Sequence, residues 1–468
     1  MALTFRGGIH VEEHKSARKY KIESIPAPSS VSIPCSQHIG AHAIPIVKAG
    51  DTVTRGQKIA ANDAALCTPV HSSVSGKVIG IEQRVLSNGM KTDFITIEND
   101  FLDTVSPDIA PWTKKISDTS TDEIINRVRE AGISGMGGAT FPTYAKIKSA
   151  IDKVTTLIIN CAECEPYITA NHRLLLESPD KVINGMKILL RALGLKIGYI
   201  AIEDNKMDAA DKIASAAAKS SMVDIKILKT KYPQGDERQL IYALTGKELP
   251  AGKLPADYGC VVFNTETAAA VCDAFVTGLP LIERIVTVGG DCIAYPKNLR
   301  VPIGTPINNL IEYCGLKKTP EKIINGGPMM GIAIFDVTNP VTKGTSAILA
   351  FSSRKIDRDS SNCIHCGRCV RGCAMRLMPN YIAAFAQNGN LEMCEKYNVF
   401  SCVECGCCSY ICPAGVPIVQ YVRTAKGQIL EQRQKEAAIA AAKKADAPTQ
   451  DSNYKGRAAA AGKGDDGK

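Results

Sequence analysis

The 468-residue chain has room for about three domains of ordinary size, and its 45% hydrophobic content is typical of a soluble globular protein. It shows no secretory signal sequence and no run of roughly 18 or more apolar residues, which excludes a membrane-spanning segment. The net charge of +9 is spread along the sequence without a compact arginine and aromatic stripe. Nucleic-acid binding is therefore not expected, while an acidic protein or an anionic membrane surface stays open as a partner.

Residues 1–30 are polar and predict an N-terminal arm. Gly7, Gly8 and His10 in this arm could form a functional turn, but an ordinary extended leader is favoured because a lone histidine rarely carries chemistry without partners.

Residues 31–100 alternate short apolar-polar strands with turn signals. This pattern resembles the barrel-sandwich of biotinyl and lipoyl carrier domains. Its hairpin TPVHSSVSG lacks the carrier lysine, so we expect a docking or packing module in which His71 is structural.

Residues 121–280, after a linker at 101–121, alternate helical and strand patterns, which predicts an α/β domain with a parallel sheet. Its segment GISGMGGATFPTYAKIKSAI (132–151) is a glycine-rich turn leading into a helix, where backbone N–H groups and Lys146 can receive an anion. The apolar strand TTLIIN then ends at Asn160, so polar residues follow at the carboxyl end of a strand, where such sheets bind ligands. Residues 281–352 begin as strand, turn, strand and helix. Their GGPMMG segment is interpreted as a tight loop that packs against the sheet.

Eight cysteines in CIHCGRCVRGCA and CVECGCCSYICP dominate residues 353–430. Each run has the bacterial ferredoxin spacing for 4Fe–4S clusters, in which the fourth cysteine of one run ligates the other cluster. The first predicted ligand set is Cys363, Cys366, Cys369 and Cys412, and the second is Cys402, Cys405, Cys408 and Cys373. Zinc knuckles and a disulfide framework are the less favoured alternatives. Cys407 is interpreted as a spare buried thiol, and residues 431–468 as a tail that begins as a helix and becomes disordered.

Four segments, in order, resemble the flavoprotein subunit of respiratory complex I. They are GMGGATFPTYAK, IINCAECEP, KYPQGDERQLIYALTGKELP and VVFNTETAAAV. The resemblance implies binding of FMN and NADH, with catalytic roles for Glu165, near the nicotinamide, and Glu237. The other residues that it implies for cofactor binding are Gly135, Gly137, Gly138, Phe141, Lys146, Asn160, Glu163, Tyr232, Gly235, Asn264 and Thr267. Met136, Thr140, Ala162 and Phe263 depart from that family's pattern, and a domain that kept this fold without its cofactor is the alternative.

The order of modules over residues 1–430 resembles the C subunits of the Rnf (Rsx) electron transport complexes. That resemblance implies a multidomain α/β chain with a barrel-sandwich, an FMN-binding domain, a β-grasp (SLBB) module and a mostly helical ferredoxin domain with two 4Fe–4S clusters. It also implies NAD(H) as substrate, other Rnf subunits as partners, especially a ferredoxin-type iron–sulfur subunit, and a peripheral position on the cytoplasmic face of the bacterial membrane. A cobalamin reductase and a non-catalytic scaffold are the alternatives.

Overall fold

The computed structural model describes residues 3–445 except 88, 219, 251 and 353–359. The strands are β1 (Glu23–Ser24), β2 (Ser30–Pro34), β3 (Ile44–Pro45), β4 (Thr52–Val53), β5 (Lys58–Ala61), β6 (Val70–His71), β7 (Gly76–Val85), β8 (Lys91–Asn99), β9 (Thr156–Cys161), β10 (Gly198–Glu203), β11 (Val223–Leu228), β12 (Cys260–Asn264), β13 (Glu283–Gly289), β14 (Lys297–Pro302), β15 (Lys322–Asn325), β16 (Ile332–Ile334) and β17 (Ala347–Phe351). The α-helices are α1 (Thr121–Glu130), α2 (Thr143–Ala150), α3 (Ala170–Glu177), α4 (Pro179–Leu193), α5 (Met207–Ala217), α6 (Glu237–Thr245), α7 (Thr265–Val276), α8 (Ile307–Cys314), α9 (Arg368–Gly372), α10 (Pro379–Gln387), α11 (Leu391–Lys396), α12 (Cys407–Tyr410) and α13 (Ile418–Ala445).

The barrel-sandwich consists of two small sheets with the strand orders β2-β8-β7-β4 and β3-β5-β6. Val31 and Ile33 in β2, and Ile95 and Ile97 in β8, are buried at alternate positions, as the apolar-polar alternation predicts. His71 is buried in β6, and burial lowers its pKa to about 3. A neutral, buried imidazole agrees with a structural role for this residue.

The α/β domain has a four-stranded sheet in the order β11-β10-β9-β12, and all of its strand pairs are parallel. The predicted α/β fold with a parallel sheet is thus confirmed. The chain moves outward from β9 through β10 to β11 and then returns to β12 on the other side of β9. The strand order therefore reverses between β9 and β12, and ligands bind in the crevice at the carboxyl ends of strands that flank such a reversal.

The third sheet is mixed and contains β1-β14-β13-β17-β15-β16. Its edge strand β1 comes from the N-terminal arm and pairs in parallel with β14. The arm also pairs with the α/β domain, through Ile9 and Tyr232. The segment that the sequence favours as an ordinary leader is thus built into two neighbouring modules, because its backbone groups complete their edges.

A buried ion pair fastens the α/β domain to this mixed-sheet module. Arg284 in β13 contacts both carboxylate oxygens of Glu266 in α7, at 3.1 and 2.9 Å. The same guanidinium donates to the carbonyl oxygen of Lys343. A charge that is 1% exposed is stable only because it is paired and hydrogen-bonded.

The cysteine-rich part is helical, from α9 to α13, with its own apolar core that includes Ile382, Val399, Val422 and Ile429. Helix α13 extends to Ala445, so the start of the predicted tail is helical, and the disorder predicted further on falls at residues 446–468, outside the described residues. None of the helices in the described part of the chain is both long and apolar enough to cross a bilayer.

Candidate functional site

The glycine-rich turn forms a loop at the switch point of the parallel sheet. The N–H of Gly135 donates to the carbonyl oxygen of Phe141 at 2.8 Å and closes the base of this loop. The tip at Gly137 and Gly138 is exposed. Gly138 has a φ of +150°, with no heavy atom within 4 Å of the position a Cβ would take. The loop therefore presents bare backbone beside open space, as close approach of a phosphate or sugar requires.

Two asparagines lie side by side under this loop. Asn160 is the last residue but one of β9, before the buried Cys161, and Asn264 ends β12 in direct register with Asn160. A Cβ on Gly137 would lie 3.1 Å from Asn264, and the Thr267 hydroxyl accepts a hydrogen bond from the Met136 N–H at 3.0 Å. The structure therefore brings together the predicted residues of the glycine loop, β9, β12 and α7.

The loop before α6 completes this crevice. Asn160 Nδ2 donates to the carbonyl oxygen of Gly235 at 2.8 Å. Lys146 Nζ pairs with Glu237 Oε1 at 2.6 Å, and both side chains are half-buried. This pair fixes the position of the Lys146 ammonium group, and anion binding by Lys146 stays a prediction.

Glu163 hydrogen-bonds to a helix N-terminus, and its expected contact with the flavin stays a prediction. Its carboxylate accepts the N–H groups of Asn171 (2.7 Å) and His172 (3.0 Å) at the start of α3. A carboxylate at a helix N-terminus stabilises the helix. Glu163 therefore anchors the segment that carries Glu165.

A buried lysine of the N-terminal arm forms hydrogen bonds with the segment that contains Glu163 and Glu165. Lys15 Nζ donates to the carbonyl oxygens of Glu163 (2.9 Å), Glu165 (3.0 Å) and Ile168 (2.7 Å). Its burial lowers its pKa. No local pattern in the sequence marks Lys15, since its partners lie 148 or more positions away.

Glu165 lies beside the GGPMMG loop. Its carboxylate accepts the N–H groups of Met329 (3.1 Å) and Met330 (3.0 Å). Burial raises the pKa of Glu165 to about 7, although these hydrogen bonds oppose the shift. Gly327 has no room for a side chain, because a Cβ there would overlap the Glu165 carboxylate. The GGPMMG loop therefore does more than pack against its own sheet.

Tyr232 connects this carboxylate to the cysteine-rich part. Its hydroxyl donates to the carbonyl oxygen of Cys405 at 2.7 Å and lies 3.3 Å from Glu165 Oε1. The ring is 1% exposed. A Cβ on Gly406 would lie 2.7 Å from the carbonyl oxygen of Met329, so the GGPMMG loop also touches the second cysteine run.

The eight cysteines predicted as ligands line two separate cavities. The first cavity is lined by Cys363, Cys366, Cys369 and Cys412. The second cavity is lined by Cys402, Cys405, Cys408 and Cys373. Each cavity thus gathers three cysteines of one run and the fourth of the other, which is the crossover that the ferredoxin spacing implies.

The thiols surround these cavities without converging on a point. Within the described residues, no three or more His, Cys, Asp or Glu side chains are arranged to hold a single metal ion. Four thiolates around a cavity lined by apolar side chains fit a cluster of several iron and sulfide ions. Burial raises the pKa of Cys402 to about 11, so metal binding at this site would release protons.

Cys407 also lines the second cavity and is 1% exposed. It packs against Ile9 and Tyr232, and its Sγ lies 3.9 Å from the carbonyl oxygen of Tyr232. Its position against the α/β domain agrees with its interpretation as a buried thiol outside the ligand set.

The crevice between β9 and β12 fits a flavin phosphate and ring. The exposed glycine tip leaves space for a phosphate, and Lys146 supplies a positive charge nearby. Gln234, which precedes Gly235 in the loop before α6, is fully buried, and its amide has no hydrogen-bond partner within the described residues. A buried amide without a partner is rare in proteins and suits a bound polar group. Sequence reasoning missed Gln234, which lies between two predicted residues.

Three family models match the chain. The Nuo51 FMN-binding domain matches residues 128–273, the RnfC barrel sandwich hybrid domain matches residues 3–102, and the SLBB domain matches residues 285–333. A solved chain of an NAD+-reducing [NiFe]-hydrogenase superposes with a TM-score of 0.47 at 19% identity, covering 68% of this chain and 62% of that chain.

Curated relatives match nearly the whole chain. The C subunit of the Na+-translocating ferredoxin:NAD+ oxidoreductase complex of Acetobacterium woodii is 45% identical, over 92% of this chain and 98% of the relative. The proton-translocating counterpart from Clostridium ljungdahlii is 43% identical, over 92% and 94%. The C subunit of the ion-translocating oxidoreductase complex of Rhodobacter capsulatus is 42% identical, over 93% and 85%. These relatives favour neither a cobalamin reductase nor a scaffold, and the chain belongs to the family of C subunits of the Rnf ion-translocating oxidoreductase complexes.

Proposed function

We propose that this chain is the NAD(H)-linked electron-transfer subunit of a membrane-bound ferredoxin:NAD+ oxidoreductase. The observation that carries the proposal is the position of Tyr232, whose hydroxyl lies between Glu165 of the α/β domain and the backbone of Cys405. One side chain thus joins the nucleotide-binding half of the molecule to a cysteine-lined cavity. Such contact suits transfer of electrons between the two halves.

The crevice between β9 and β12 would hold FMN. The backbone of Gly135, Gly137 and Gly138 would face the phosphate together with Lys146, and Asn160 would face the ring. The other residues that would line this site are Gly235, Asn264 and Thr267. Bound FMN would supply conversion between hydride transfer and single-electron transfer, a chemistry that protein side chains lack.

NAD(H) would bind on the side of the crevice where Glu165 lies. Glu165 can hold a proton near neutral pH at an oxygen close to the Tyr232 hydroxyl, since its pKa is raised to about 7. Glu237 would keep Lys146 oriented toward the phosphate. Phe141, half-buried after the glycine tip, would contact the adenine.

The two cysteine-lined cavities would hold one 4Fe–4S cluster each. Their ligands would be the crossed sets described above, with Cys405 nearest to Tyr232. The partner would be a ferredoxin-type iron–sulfur subunit of the same complex, and the chain would sit peripherally on the cytoplasmic face of the membrane. Clusters in this arrangement carry single electrons.

The test is an anaerobic titration of the reconstituted chain with NADH, followed by visible absorbance and low-temperature electron paramagnetic resonance. We expect bleaching of a flavin band and signals from two reduced 4Fe–4S centres. Absence of flavin and no response to NADH, with clusters still reduced by dithionite, would overturn the proposal.

A matched pair of lysine variants tests the flavin site in the same preparation. Lys146→Ala should lower the flavin retained per chain, because it removes the charge beside the glycine loop. Lys148→Ala lies two positions further along α2 with an exposed side chain and should retain flavin as the wild type does. Equal flavin content in both variants would remove the role assigned to Lys146.

A further inference from the structure

The two cysteine cavities differ in what covers them. The second is covered by the α/β domain and the GGPMMG loop, through Tyr232 and Met329. In the first, Cys363 and Cys366 are exposed, and Ile364 between them is 63% exposed. One cavity thus faces the nucleotide-binding half, and the other faces solvent.

The solvent-facing side opens onto a groove beside the N-terminal arm. The residues that line this groove include Gly8, Arg368, Arg371 and Cys412. Both arginines have exposed side chains. A predicted ligand cysteine therefore lines a groove that also carries two exposed positive charges.

These two arginines differ from the other arginines of the helical part. Arg376, Arg423 and Arg433 each pair with a glutamate. Within the described residues, neither Arg368 nor Arg371 has a carboxylate at ion-pair distance. The nearest acceptor to Arg371 is the carbonyl oxygen of Cys366, at 3.4 Å.

We propose that the surface formed by Ile364, Cys366, Arg368 and Arg371 is the docking face for an acidic one-electron carrier protein. This inference rests on the proposed function and adds which cavity exchanges electrons with the partner. The exposed positive charges of Arg368 and Arg371 beside Ile364 would steer an acidic protein toward this surface and leave the contact weak enough for rapid turnover. Each encounter moves one electron, so the chain loses one electron and the carrier gains one, or the reverse.

The first experiment measures binding of the full chain, with reconstituted clusters, to a small acidic bacterial 4Fe–4S ferredoxin at low salt. Arg368→Gln/Arg371→Gln should weaken binding about tenfold or more, and the salt dependence of binding should become shallower. Lys48→Gln/Lys77→Gln is the control, because it removes two exposed charges from the barrel-sandwich. This control should bind as the wild type does.

Arginines near a cluster could instead only offset its negative charge. In that case the double arginine variant would lose iron or shift the cluster potential, yet keep its affinity for the ferredoxin, and that result would overturn the proposal.

A basic haem protein of the cytochrome c type provides a second check. This haem protein should bind the wild-type chain more weakly than the acidic ferredoxin does, and equal binding of the two proteins would count against charge complementarity.

Hydrogen exchange on the wild-type chain covers the case in which the arginine variants assemble poorly. Added ferredoxin should slow exchange in residues 361–373, and protection elsewhere with none in this segment would refute the docking face. Reduction of a small dye by NADH separates this outcome from failure of the proposed function. A chain that reduces the dye without docking the ferredoxin at this face keeps its proposed function and loses only the inference.

Discussion

Replacement of Lys15 by methionine tests whether the N-terminal arm supports the candidate site. Methionine keeps most of the length of the lysine side chain and removes the ammonium group, so three carbonyl oxygens lose their donor. The Ile168 carbonyl is bonded in a buried contact, whereas those of Glu163 and Glu165 are partly buried. We expect a cost of about 2 kcal/mol for the first and about 0.5 kcal/mol for each of the others, which can regain water.

The free energy of unfolding of Lys15→Met should therefore fall by about 3 kcal/mol. Flavin retention should fall with it, since the loosened segment carries Glu163 and Glu165. Denaturant unfolding and flavin fluorescence after gel filtration measure the two effects. Lys19→Met is the matched control, because Lys19 belongs to the same arm and is exposed. If Lys15→Met matched Lys19→Met in both measurements, the supporting role of the arm would be refuted.

Three further predictions concern other parts of the site. Gly7→Ala would place a Cβ against the carbonyl oxygen of Cys373, so iron per chain should fall, whereas Gly50→Ala, with a similar left-handed backbone and open space around it, should keep its iron. As the pH rises from 4.5 to about 7, the free energy of unfolding of the wild type should fall by up to about 3 kcal/mol relative to that of Glu165→Gln. The reason is that the Glu165 carboxyl, with its raised pKa, binds more protons in the folded state than in the unfolded state. A difference between the two proteins that does not depend on pH would contradict this. Arg284→Met should destabilise the chain by about 3 kcal/mol, as it leaves the Glu266 charge buried without its partner, and denaturant unfolding of Arg284→Met/Glu266→Gln should recover part of that loss.

Much of the α/β domain could be predicted because its signals are local. The turn before α2 combines glycines with a following helix, and Asn160 and Asn264 each lie near the carboxyl end of an apolar strand. A strand, a turn and a helix that follow one another in sequence also lie together in space, so these residues meet at one edge of the sheet. The spacing of the cysteines is likewise a local signal, and it indicates which fourth cysteine belongs to which set.

Contacts between distant segments could not be predicted in this way. Lys15 looks like any polar residue of an arm, and GGPMMG looks like an ordinary turn. Their roles depend on carbonyl and amide groups of the segment around Glu165, which lie in other modules. Tyr232 was expected near the flavin or nicotinamide, but nothing in the sequence pairs its hydroxyl with the backbone of Cys405. Backbone partners carry no side-chain signature, so only the folded structure shows them.

The placement of the arm has a consequence for how the protein is made. The N–H of Gly8 bonds to the carbonyl oxygen of Gly372 at 3.1 Å, so this contact is delayed until the residues between them have been synthesised. At ordinary rates of translation this delay is on the order of 20 s or more, and contacts so distant in sequence form slowly. The α/β domain can fold during that time, but the arm cannot reach its final place until the cysteine-rich part has emerged. The arm is therefore expected to reach its final place only after the cysteine-rich part has been synthesised and has begun to fold.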